Sequence, residues 1–266
     1  MTPICSVSVV IPCYRCKSTI RATVESVFQQ TLIPAEIILV DDYSCDGTLE
    51  LLYKISASFP MGLVKVISLS SNRGPSAARN AGWNSSKEKY IAFLDSDDVW
   101  HPQKLELIIH FLKMTKCDLI GHSFTLIDNS MQPFLTSVVD VKEIGFFRLL
   151  LNNFAVTPSV VVINSLPFRF DESMRYAEDH ELWLRISMHH RVCFVQLPLT
   201  RLGRPVLTPG GQSSNRLAMR LGELKLYFGL TKKNKFILPL LPFLAIFSAL
   251  KHIRSELIAL FNRLHS

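Results

Sequence analysis

Residues 90–102 read YIAFLDSDDVWHP, an apolar run that ends in three carboxylates, Asp95, Asp97 and Asp98, within four positions. Acids packed this closely raise one another's pKa unless a cation sits among them. A divalent ion that prefers oxygen answers the problem. Mn2+ or Mg2+ commonly takes one or two carboxylates together with substrate phosphate oxygens. A turn followed by a helix cap also uses Asp and could account for Asp98, yet it has no need of three acids behind an apolar strand.

Other charged groups fall into a pattern around this stretch. Asp41 and Asp42 end a second apolar run, ILVDD, where the alternative is an Asx-turn leading into CDGT; Asp46 with Gly47 suits that turn. NRGPSAARN supplies Arg73, Arg79 and a predicted helix N-terminus, all suited to anionic oxygen. No GK[ST] follows, so it is not a Walker loop, and no GxGxxG follows the first strand, which disfavours a dinucleotide cofactor. AEDHELWLR sets Glu178 and Asp179 at another predicted helix start, far along the chain from the acid cluster. Acids complement any helix N-terminus, but a carboxylate that deprotonates an incoming hydroxyl also needs a position of its own.

The elements that must position these groups alternate. Strands are predicted at 6–12, 35–42, 63–69, 89–95 and 117–127, with helices at 18–30, 46–59, 74–86 and 102–114. Such alternation implies βαβ units, a mostly parallel sheet and ligands at the edge formed by the strand C-termini. VVIPCYR, ILVDDYS and AFLDSDD all turn from apolar to polar at that edge. Further on, the pattern predicts helices at 145–153 and 177–190 and strands at 159–164 and 192–198, with no internal repeat.

The chain of 266 residues is 48% hydrophobic, enough for one large α/β domain with an appendage. Its net charge of +7 is lopsided: from Arg201 onward 11 Lys+Arg stand against 2 Asp+Glu. An anionic partner follows, a membrane surface or nucleic acid, and the apolar run 236–250 suits lipid better. As a helix, such a run reaches about 22 Å, short of the roughly 30 Å of bilayer hydrocarbon. Pro239 and Pro242 would interrupt it; Lys232, Lys233 and Lys235 on one side and Lys251 and Arg254 on the other resemble an interfacial anchor. A helix pair packed on the domain, or a dimer interface, is the alternative. The start of the sequence lacks the charged and apolar regions of a signal peptide, which implies a reducing cytosol and six free thiols. Cys13 and Cys16 form a CxxC, but no second pair accompanies it to bind zinc.

VSVVIPCYR, ILVDDYSCDGT, NRGPSAARNAG, YIAFLDSDDVWHPQKLE and AEDHELWLR, in that order, resemble the inverting family 2 glycosyltransferases of GT-A fold. The resemblance covers about residues 5 to 190. It implies a Rossmann-like, mostly parallel sheet flanked by helices over 1–205, divided near 128 into a nucleotide-sugar half and an acceptor half. A basic and apolar helical extension fills 206–266. By the same resemblance Pro12 and Tyr14 line the nucleotide pocket, Asp42 bonds the base, Arg79 lies near ribose or phosphates and Asp95 near the ribose. Asp97, with Asp98 as the alternative, holds Mn2+ or Mg2+ on the diphosphate; Asp179 is the general base and Glu178 supports it. Arg15 stands where the family commonly has Asn, and the Q/RxxRW signature of processive synthases is missing. The expectation is therefore a metal-dependent inverting enzyme that adds one sugar from a nucleotide-diphosphate sugar. Its acceptor would be a lipid-linked glycan of bacterial surface polysaccharide, and the enzyme would be peripheral on the cytosolic face of the inner membrane. The alternatives are a Mg2+-dependent nucleotidyltransferase and a non-catalytic sugar-nucleotide or membrane-binding subunit.

Overall fold

A computed structural model describes residues 3–126, 139–204 and 215–264, with side chains as far as Leu257. β1 (Ile4–Cys13) sits in the middle of the first half. Its Val7, Val9, Val10 and Ile11 are wholly buried, as expected of a strand covered on both faces. β2 (Ile33–Asp41) and β4 (Tyr90–Phe93) pair with it in parallel, and β3 (Val64–Ser68) extends the sheet beyond β2. The crossovers carry α1 (Ile20–Phe28), α2 (Thr48–Ala57) and α3 (Pro75–Ser85). Pro75 begins α3, where its missing N–H costs nothing.

Register brings the polar ends together. Cys13 lies opposite Asp41 and Val10 opposite Phe93, so Asp95 emerges level with Pro12. The acid loop then continues through β5 (Val99–Trp100) into α4 (Lys104–Thr115).

Beyond β4 the sheet is mixed. β6 (Leu119–Thr125), β8 (Val160–Ile163) and β9 (Val192–Arg201) complete the order β3-β2-β1-β4-β8-β6-β9-β5, and β7 (Val141–Glu143) pairs with β9. β8 runs antiparallel to both β4 and β6, so the parallel pairing expected from the sequence describes the first half better than the second. Among the described residues, β7 is a strand that the sequence pattern does not reveal. α5 (Phe146–Leu151) and α6 (Glu178–Ser187) occupy the expected helical stretches. The strand predicted to end at residue 127 and the loop residues 208–214 fall partly or wholly outside the described residues.

Alternation along the strands divides the core into two layers. Val9, Ile11, Ile37, Leu39 and Ala92 face a cluster that includes residues of α1, α2 and α4. Val10, Ile91 and Phe93 face Trp83 of α3 and Trp183 of α6. Phe170 packs at 5.3 Å from Phe93 and 5.9 Å from Trp183, making an aromatic floor in that layer. α7 (Arg216–Lys233) and α8 (Leu241–Leu264) belong to the same layer, through Leu226, Tyr227, Leu230 and Leu244. The extension thus shares the core of the domain it follows.

Two expectations change. Pro239 lies in a 3₁₀ segment, Lys235–Leu240, and Pro242 in the first turn of α8, so the prolines shape the approach to a 24-residue helix rather than interrupt it. Cys117 and Cys193 are joined in a disulfide instead of standing as free thiols; β6 and β9 are neighbours, and the Cα atoms are 6.2 Å apart, within reach of a bridge. Cys5, Cys13, Cys16 and Cys45 are free.

Gly82 lets α3 lie close against the sheet. A Cβ there would overlap Val10 Cγ1 and crowd Val40. Replacing Gly82 by Ala should cost about 1–3 kcal/mol, read as a lower denaturant midpoint with an unchanged slope.

Candidate active site

The acid loop is a tight turn in which the Asp98 amide donates to the Asp95 carbonyl at 3.1 Å. Each carboxylate has a different partner. Arg79 Nη2 donates to Asp95 Oδ1 at 2.8 Å. Arg204 donates to Asp97 Oδ2 from Nη2 at 2.6 Å and from Nε at 3.0 Å. The Gly203 amide donates to Asp98 Oδ1 at 2.9 Å. A side chain at 203 would collide with the Asp97 carbonyl, so glycine is required for this approach. Thr23 Oγ1 donates to the Ser96 carbonyl at 3.0 Å and ties the loop to α1.

Burial, with the charges of Asp95 and Asp97 added, pushes Asp98 up to about 8, against the opposing pull of Gly203 and Arg204. The loop is therefore short of positive charge. Its hard carboxylate oxygens fit Mn2+ or Mg2+, and relief of Asp98 is what such an ion would supply. Among the described residues no three acids, histidines or cysteines converge on one cation position. The fit is thus to an ion held by one or two carboxylates plus phosphate, not to an all-protein cage.

Arg79 joins the two acidic regions. It projects from α3 into the aromatic floor, 5.5 Å from the Phe170 ring centroid, with Nη1 3.4 Å from Glu178 Oε1. Burial opposes its charge, but Asp95 and Glu178 together hold it firmly protonated. Glu178 is buried as well. Burial and the adjacent Asp179 raise it to about 7, partly offset by Arg79. Glu178 therefore supports the site as the second partner of a shared guanidinium.

Asp179, one residue further on, is held differently. Its Oδ2 accepts from Asn153 Nδ2 at 2.9 Å and from Thr157 Oγ1 at 3.5 Å, and its Oδ1 accepts from the His180 amide at 2.7 Å. Trp100 Nε1 donates to the Pro158 carbonyl at 3.0 Å, so the strand after the acid loop also braces the turn that carries Thr157. Asn153, Thr157, Gly203 and Arg204 all escape a reading of the sequence.

At the other end of the edge, Tyr14 is exposed, Pro12 is half-buried and the Arg15 guanidinium lies 5.2 Å from the Tyr14 ring centroid. Asp42 is buried. Its two oxygens accept the Arg73 and Gly74 amides, each at 2.8 Å, so it fixes the turn into α3; burial raises its pKa and those amides lower it. Asp41 accepts from Ser44, whose hydroxyl receives the Arg15 amide at 3.1 Å. Arg73 pairs with Glu172 at 2.5 Å and lies at the rim.

The sequence profile of glycosyl transferase family 2 matches residues 8–134. The Escherichia coli enzyme named UDP-Glc:alpha-D-GlcNAc-diphosphoundecaprenol beta-1,3-glucosyltransferase WfaP is 34% identical over 184 residues, 68% of this chain and 69% of its own. The chain belongs to glycosyl transferase family 2. It is a glycosyltransferase, and the nucleotidyltransferase and inert-subunit alternatives fall away. Solved structures place the fold as GT-A. S. aureus TarS residues 1–349 with UDP-GlcNAc superposes with a TM-score of 0.64 at 20% identity, over 82% of this chain and 66% of that one. A mannosyltransferase from Pyrobaculum calidifontis with GDP-Man and Mn2+ gives 0.62 at 15% identity, over 96% and 75%. The chain spans just under two thirds of the TarS chain.

Glu178 sets a pH dependence whose sign follows from its direction. The folded protein keeps this proton up to about pH 7, whereas the unfolded chain releases it near the ordinary carboxyl value of about 4.3. Its contribution to stability is full below that value and is lost as pH rises through about 7, an upper bound of about 4 kcal/mol. Glu178→Gln cannot titrate. Its melting temperature should fall less than the wild type's between pH 4.5 and 7.5 in a thermal-shift series.

Proposed function

We propose that this glycosyltransferase moves one sugar, with inversion, from a nucleotide-diphosphate sugar to a hydroxyl of a lipid-linked glycan in bacterial surface-polysaccharide synthesis. The observation that carries the reading is the division of acids. Asp95, Asp97 and Asp98 crowd one loop, while Asp179 stands apart on α6, and Arg79 ties the two regions together. A donor at the strand edge and a separate base for the nucleophile are what a single displacement requires.

Asp97 and Asp98 are the residues that would hold Mn2+ or Mg2+, which when bound supplies positive charge to the leaving diphosphate. Tyr14, Pro12 and Asp42 line the nucleotide end, and Asp95 and Arg79 lie toward the ribose and phosphates. Asp179 accepts the proton of the acceptor hydroxyl. The hydroxyl oxygen bonds to the anomeric carbon as the bond to the diphosphate oxygen breaks on the opposite face, and nucleoside diphosphate leaves. Asn153 and Thr157 keep the Asp179 carboxylate oriented. WfaP is named for a UDP-glucose donor and an acceptor on diphosphoundecaprenol, which supports a lipid-linked acceptor and makes UDP-sugars the first donors to test. Such an acceptor places the enzyme peripherally on the cytosolic face of the inner membrane. The catalytic part is 1–205, with the nucleotide-sugar half ending near 128, and 206–266 is the membrane-associating extension.

Asp97→Ala and Asp179→Asn should each lower transfer by at least about 10²-fold, a typical cost for a lost electrostatic or proton-transfer group. Donor binding with and without Mn2+, measured by calorimetry, separates the two. Only Asp97→Ala should lose the metal-dependent part. Full transfer by Asp179→Asn would remove it as the base, and release of pyrophosphate in place of nucleoside diphosphate would remove the reaction.

A further inference from the structure

α8 has two unlike sides. Inward, Leu244 is buried, Ser248 Oγ donates to Glu223 at 2.6 Å, and Lys251 donates to Glu223 and to the Leu151 carbonyl. Glu223 is buried on α7, where Tyr227 and Arg220 also donate to it. Outward, Phe243, Ile246, Leu250, Ile253 and Leu257 follow one another at spacings of three and four, each between 55% and 61% exposed. Phe236 and Leu238 on the preceding 3₁₀ segment, and Leu217, Leu221 and Phe228 on α7, are exposed as well. Isolated exposed apolar residues need no explanation, but a continuous row over about four helical turns does.

By length and composition, residues Lys235–Leu257, with a mean hydropathy of 1.9, could cross a membrane. The inward contacts exclude that orientation. A crossing helix would pull Ser248 and Lys251 away from Glu223 and carry the unpaired Lys251 ammonium toward hydrocarbon, at a cost of several kcal/mol. With one side fixed to the domain, only the other can meet lipid.

The charges around the row choose the partner. Lys233 is drawn to Glu181 and Lys251 to Glu223, so neither serves as a flanking cation. Lys232, Lys235 and Arg254 are exposed beside the row, and the exposed acid on α8, Glu256, pairs with Arg216. A second copy docked on this row would bring a like charge pattern against it. An anionic bilayer brings the opposite one.

We propose that the outward side of α8 and the 3₁₀ segment before it, with the exposed apolar residues of α7, is a docking face for an anionic phospholipid bilayer. α8 lies in the plane of the interface and does not cross it. The inference rests on the proposed lipid-linked acceptor for its purpose, but vesicle binding is read without transfer, so either can fail alone.

The test is flotation of the full chain with phosphatidylcholine vesicles containing about 30 mol% phosphatidylglycerol, compared with phosphatidylcholine alone. Binding should fall at least about tenfold without the anionic lipid or in about 0.5 M salt. Ile246→Glu with Leu250→Glu, both at exposed positions, should lose binding to the same extent with the wild-type melting temperature. Single cysteines at 246, 250 and 253, labelled with a polarity-sensitive probe in a Cys45→Ser background, should report one shallow depth. Binding that ignores both lipid charge and the double substitution overturns the docking face, and graded depth from 246 to 253 overturns the in-plane orientation. A wild-type dimer that the double substitution abolishes, seen by ultracentrifugation without lipid, assigns the row to a second copy.

Discussion

Arg79 is the constraint on which the site depends. A guanidinium this deeply buried persists only with counter-charge at hand, and its partners come from both acidic regions, Asp95 in the acid loop and Glu178 at the start of α6. The pairing is not evidence of net stability, because a well-packed apolar substitute for the whole set could stabilise the fold as well. What it fixes is geometry. α3, the loop after β4 and the N-terminus of α6 cannot shift independently without separating charges in a low-dielectric floor of Phe93, Phe170 and Trp183.

The same charge arithmetic explains why the acids are unequal. Asp97 pairs directly with Arg204 and Asp95 with Arg79, whereas Asp98 is buried beside both acids and is eased by the Gly203 amide and, at longer range, by Arg204. It is the acid of the loop that burial and its neighbours keep protonated to about pH 8. Asp179, by contrast, accepts its side-chain hydrogen bonds from neutral donors, Asn153 and Thr157, which orient the carboxylate. An acid region crowded by burial and like charge and a carboxylate held by neutral groups are different environments, and the proposed transfer uses each for a different task.

Much of this was legible from residue order. Apolar strands that break into Asp or Pro at one end announce a parallel sheet and its ligand edge, so Asp42, Asp95, Asp97 and Asp98 could be placed before any coordinate. Their partners could not. Asn153 reaches Asp179 across 26 residues and Arg204 reaches Asp97 across 107, with no periodicity linking either pair. β8 was foreseen as a strand, but its antiparallel direction depends on a connection that hydrophobic pattern does not encode. Counting charges likewise grouped Lys233 and Lys251 with the outward cations, because a sequence cannot show that Glu181 and Glu223 turn them inward.

That inward turn couples the extension to the catalytic half. Lys251 donates to the carbonyl of Leu151, the last residue of α5, and Tyr227 donates to that of Leu150. Two residues after Leu151, Asn153 grips Asp179, while Lys233 on α7 reaches Glu181 at the end of the same turn of α6. α6 is thus held from both ends of its first turn by groups that α7 and α8 position. Whatever surface the outward side of α8 rests against, its distance from Asp179 is set by a short run of buried, hydrogen-bonded contacts rather than by a flexible linker. For the lipid-linked acceptor proposed above, that distance decides whether its hydroxyl can reach Asp179.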